Sequence, residues 1–94
     1  MDDFERRMEA LKARFAQRAA LDRIALNGAW AARDDDAIRR ISHSLAGNAG
    51  MFGYPELGEA ARQLEEALDR TAPEDQLHAK LDAVLAEIPA DWGA

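Results

Sequence analysis

Apolar residues recur at helical spacing along almost the whole chain. Phe4, Met8, Leu11 and Phe15 form one such stripe. It does not continue in phase, because Leu21, Ile24 and Gly28 fall on a different face. This predicts a bend or break between about Ala16 and Ala20, with a second helix running to about Arg33. Asp34, Asp35 and Asp36 then suit a helix start, where carboxylates cap free amides and meet the positive end of the dipole. Ile38, Ile41, Leu45, Ala49 and Phe52 make the next stripe, closed near Gly53. Pro55 fits the first turn of another helix, with Leu57, Ala60, Ala61, Leu64 and Leu68 on its apolar face. Pro73 opens a last helix carrying Leu77, Leu81, Val84 and Ile88 and stopped by Pro89. Trp92 is expected to fold back over one end of the assembly.

No segment alternates as a strand would, and no internal repeat or linker interrupts the pattern. Short links between amphipathic helices favour antiparallel neighbours. The expected fold is therefore all-α, an antiparallel up-down bundle of four main helices within one domain over residues 1–94. The first stripe is either an extra short N-terminal helix or the start of a long one.

Composition narrows the chemistry. Alanine and leucine dominate the apolar residues, which favours helix over sheet. There is no cysteine, so disulfides, thiolate metal sites and cysteine nucleophiles are excluded. A net charge of −6 argues against non-specific nucleic-acid binding. No apolar run approaches the roughly 18 residues of a membrane span. Met1-Asp2-Asp3-Phe4-Glu5-Arg6-Arg7 does not read as a signal peptide, and a cytoplasmic, monomeric protein is expected.

The informative feature lies opposite the core stripe of the helix that starts at Asp34–Asp36. At 100° per residue with Leu45 at zero, Ile38, Ile41, Ala49 and Phe52 fall within about 40°. His43 falls near about 160°, on the solvent side. Around it lie Ala46, Gly47 and Gly50, with Arg39 and Arg40 one turn earlier. Glycine inside a helix costs about 1 kcal/mol relative to alanine, so these two glycines require a reason. Gly47, four residues after His43, is the position whose side chain would stand beside the imidazole. Its absence bares the ring to an approaching protein. The ordinary explanation, a merely solvated surface histidine, does not account for the trimmed surround.

The stretch His43-Ser44-Leu45-Ala46-Gly47-Asn48-Ala49-Gly50-Met51-Phe52-Gly53, continued by Leu57, Ala61, Leu64 and Glu65, resembles the signature of histidine phosphotransfer (HPt) domains. The resemblance implies a four-helix bundle with His43 as phosphoacceptor and Gly47 as the clearance residue. It implies that Glu65, on the neighbouring helix, orients the ring through a hydrogen bond. One departure stands out. The family usually has lysine three residues after the histidine, where this chain has Ala46. Arg39 and Arg40 could supply positive charge from the other side, or simply pair with Asp35 or Asp36.

On this reading the chain is a phosphocarrier and not an ATP-dependent kinase. It would take a phosphoryl group from a receiver-domain aspartate and pass it to another receiver, in response regulators or hybrid histidine kinases. No cofactor or metal is expected on this chain; magnesium belongs to the receiver. Met51 and Tyr54 would join Ala46, Gly47 and Gly50 in the docking face, unless they only pack the bundle edge. Rival readings are an adaptor that docks receivers without carrying phosphate, a metal-binding bundle and an oligomerisation bundle. With only His43 and His78 as histidines, the metal reading is poorly supported, and His78 is expected simply to be exposed.

Overall fold

The computed structural model describes residues 2–70 and 74–88. Four helices follow one another: α1 (Asp3–Ala31), α2 (Asp35–Asn48), α3 (Pro55–Arg70) and α4 (Glu74–Ala86). Asp2 caps α1 by accepting the Glu5 amide at 2.7 Å, and Asp34 caps α2 by accepting the Ala37 amide at 3.2 Å. Both satisfy backbone donors that a helix start leaves free. After α2 the chain tightens into a single 3-10 turn, Gly50–Phe52. Gly53 then reverses it with φ 88°, a left-handed conformation that favours glycine, and Pro55 opens α3.

Among the described residues each helix packs on its two neighbours around a square and none packs on its diagonal. The chain is therefore an antiparallel four-helix bundle, as the pattern predicts. Leu26, Leu45, Leu57, Leu64 and Leu81 are fully buried at its centre. Ala19, Ala49, Ala60 and Ala61 complete this core. Phe15 closes one end by stacking on Phe52 and Tyr54, with ring centroids 5.2 and 5.6 Å apart.

The expected break between Ala16 and Ala20 is corrected: α1 is one uninterrupted helix. Its buried line runs through Phe15, Ala16, Ala19 and Leu26 and stays in phase. Leu21 and Ile24, which suggested a second core face, point to solvent at 57% and 71% exposure. Phe4 and Leu11 are also exposed, so only the Phe15 end of the first stripe is core. In α3 and α4 the sequence reading omitted Ala67 and Leu85, both buried. The expectations for Pro73, Pro89 and Trp92 fall outside the described residues.

Candidate functional site

Helix α2 turns Ile38, Ile41, Ser42 and Leu45 into the core, which sends His43 outward. Its side chain is 78% exposed. Gly47, one turn on, is exposed, and a Cβ built there would meet nothing within 4 Å. The same holds at Gly50. Neither glycine is required by packing inside the bundle. Gly50, however, lies in the 3-10 turn beyond α2, so the helix-interior cost falls on Gly47 alone. Ala46 is half-buried beside them.

Helix α3 supplies the other half. With Leu57, Ala60, Ala61, Leu64 and Ala67 in the core, Glu65 stands at the seam with α2. Its Oε2 lies 2.5 Å from His43 Nδ1. The ring is open to solvent while the Glu65 side chain is only 23% exposed beneath it. An ionised carboxylate only accepts, so this bond requires a proton on Nδ1. In the neutral ring Nε2 then carries the lone pair, and it has no hydrogen-bond partner among the described residues. The chain thus presents a tautomerically fixed, outward imidazole.

One turn earlier in α2 and one turn later in α3, Arg39 Nη2 forms an ion pair with Asp69 Oδ1 across the same seam at 3.2 Å. Arg39 also lies 3.9 Å from Asp36. Of the two expectations for Arg39, lending charge to the ring or pairing with an aspartate, the structure shows a pair with Asp36 and adds Asp69. Asp69 was not visible in the sequence, because seeing it requires the α2–α3 register that the His43–Glu65 pair sets. Arg40 is exposed and makes no ion pair among the described residues. Helical side chains lean toward their own N-terminus, so Arg40 heads away from the ring.

Met51 is 68% exposed just past the glycines. Tyr54 is half-buried at the bundle edge, stacked on Phe15. His78, expected to be simply exposed, is half-buried between α4 and α1 and stacked on Trp30 with centroids 4.1 Å apart. No described helix is long and apolar enough to cross a membrane.

A family-model comparison matches residues 2–91 to the Hpt domain. Neither a curated protein nor a solved structure matches the chain. A match over nearly the whole chain, on a four-helix bundle with an outward histidine at its seam, settles the assignment: the chain belongs to the Hpt domain family, whose members are phosphocarriers of phosphorelays that interact with receiver domains.

Proposed function

We propose that His43 is the phosphoacceptor, taking a phosphoryl group from a receiver aspartyl phosphate and returning it to a second receiver. The observation that carries this reading is the bond between Glu65 and Nδ1 on a ring that is otherwise open. In the neutral ring this leaves the Nε2 lone pair as the nucleophile, aimed outward. Nε2 attacks phosphorus in line. The N–P bond forms as the acyl P–O bond breaks, and the electron pair leaves with the aspartate oxygen as carboxylate. The proton stays on Nδ1, so the ring gains positive charge beside the Glu65 carboxylate, which stabilises it. No proton needs to move for the reaction to reverse.

Phosphoryl transfer depends on positioning and charge neutralisation more than on covalent chemistry. The receiver, with its magnesium ion, supplies most of the second. This chain supplies the nucleophile and the clearance. Gly47, Gly50 and Ala46 leave room for the receiver's loops around the ring, and exposed Met51 offers an apolar contact beside them.

The test is incubation with a phosphorylated receiver, followed by analysis of acid-labile, base-stable label. Label on His43 that is absent from His43→Gln is expected. A receiver that binds but leaves no such label would favour the adaptor reading, since docking alone does not require the histidine.

A further inference from the structure

The seam between α2 and α3 is built in register, and its next position has no occupant on α2. Asp69 meets Arg39 and Glu65 meets His43, one helical turn apart on both strands of the seam. At the far end, a Cβ on Gly58 would meet Ala49 Cβ and the Gly50 amide nitrogen at 3.6 Å and the Ala46 carbonyl at 3.7 Å. In the register that these pairs set, Arg62, one turn before Glu65 on α3, falls opposite Ala46 of α2. Neither Ala46 nor Gly47 carries a functional group.

Arg62 is exposed and held by its own helix. Its Nε donates to Glu59 Oε2 at 2.9 Å, and Nη1 donates to Glu66. Nη2 donates to Glu59 as well, so all three guanidinium nitrogens are engaged by two glutamates of α3, one turn to either side. The other nearby cations lie toward the opposite end of α2: Arg39 pairs with Asp69 one turn before His43, on the side away from Ala46 and Gly47, and Arg40 leans away.

Building on the phosphoacceptor reading, we infer that Arg62 is the phosphoryl-binding cation of this chain, exchanging a glutamate for the phosphoryl oxygens once His43 is phosphorylated. The planar fork of arginine suits two phosphoryl oxygens at once. The ion pairs it leaves are exposed, so they are weak and screened by salt. The phosphoryl group adds close to two negative charges to a seam already carrying Glu65, Glu66 and Asp69, and a cation from the opposite wall relieves that repulsion. The unphosphorylated chain keeps Arg62 neutralised, and the phosphorylated chain uses it.

The experiment treats the full chain with phosphoramidate, a small phosphoryl donor, and follows phospho-His43 by phosphorus NMR across pH. Arg62→Gln and Arg62→Lys are compared with the unaltered chain, with helix content as the folding control. A bound cation favours the dianion, so Arg62→Gln should raise the phosphoryl pKa, and Arg62→Lys should restore most of the difference. With a phosphorylated receiver as donor, the equilibrium share on His43 should fall about tenfold in Arg62→Gln, as for loss of one hydrogen bond to a charged group. Phospho-His43 that forms in Arg62→Gln with an unchanged titration and an unchanged share would overturn the role of Arg62 and leave the phosphoacceptor reading standing. Absence of phospho-His43 in the unaltered chain would overturn both.

Discussion

Glu65 holds the inner nitrogen of His43 at 2.5 Å, yet the His43 side chain remains 78% exposed. The restraint comes from below, out of the path of an incoming protein. A histidine oriented by a residue of its own helix would be crowded at i−4 or i+4. Here that burden passes to α3, and the i+4 position is free to be glycine.

Replacing Glu65 by alanine should slow phosphotransfer to His43 by about tenfold, the cost of losing a hydrogen bond to a charged group. Both ring tautomers then become available, and Nε2 loses its fixed aim. Glu65→Gln keeps the geometry but not the charge and should fall between the two. Initial rates with a phosphorylated receiver decide it, and an unchanged rate in Glu65→Ala would remove this residue from the mechanism.

Gly47 should separate stability from function. A methyl group there meets nothing within 4 Å, and alanine is a better helix former by about 1 kcal/mol. Gly47→Ala is therefore expected to raise the melting temperature by about 4–8 °C for a domain of this size. Gly47→Gln should also fold, with equal or greater helix content, but block transfer because its side chain stands beside the ring. Calorimetry and the transfer assay on the two variants check both halves.

How far the sequence is legible depends on what each residue contributes. The α2 stripe is plain because Ile38, Ile41 and Leu45 are large, apolar and buried together. The same stripe makes the outward direction of His43 plain. Helix α1 is harder to read, because its contact line uses small Ala16 and Ala19 and then passes Arg23, which reaches Asp82 of α4 through its polar end. The conspicuous Leu21 and Ile24 lie off that line. Side-chain pairs across the seams, such as Arg39 with Asp69, depend on register, which periodicity within one helix does not encode.

The reassignment of α1 is itself testable. Leu21→Glu should change stability by no more than about 0.5 kcal/mol, as for an exposed surface position. Leu26→Ala, at a fully buried site, should cost about 2–5 kcal/mol. Urea unfolding of the two variants measures the contrast. A large loss in Leu21→Glu would show that a second face of α1 is covered after all.

The contact between α4 and α1 should make stability depend on pH through His78. Arg23 donates to Asp82 through Nε at 2.8 Å and through Nη2 at 3.2 Å. Asn27 donates its amide to the same carboxylate at 2.8 Å, which turns its Oδ1 toward His78 Nε2 at 2.7 Å. The imidazole, protonated on Nε2 and stacked on Trp30, is held neutral. Burial lowers its pKa from 6.5, and the charges of Asp82 and Asp75 only partly oppose that. The unfolded chain therefore binds more protons at this site than the folded one just below pH 6.5, so stability falls as pH drops through that value. Asp82 adds a second, more acidic loss: Arg23 and Asn27 hold its carboxyl down to about 2, so its contribution is full above about pH 4 and disappears toward pH 2. Urea unfolding between pH 2 and 8 should show both slopes, and His78→Gln should flatten the upper one while leaving the acidic limb. A profile that His78→Gln does not alter would mean that the ring titrates as freely in the folded bundle as in the unfolded chain.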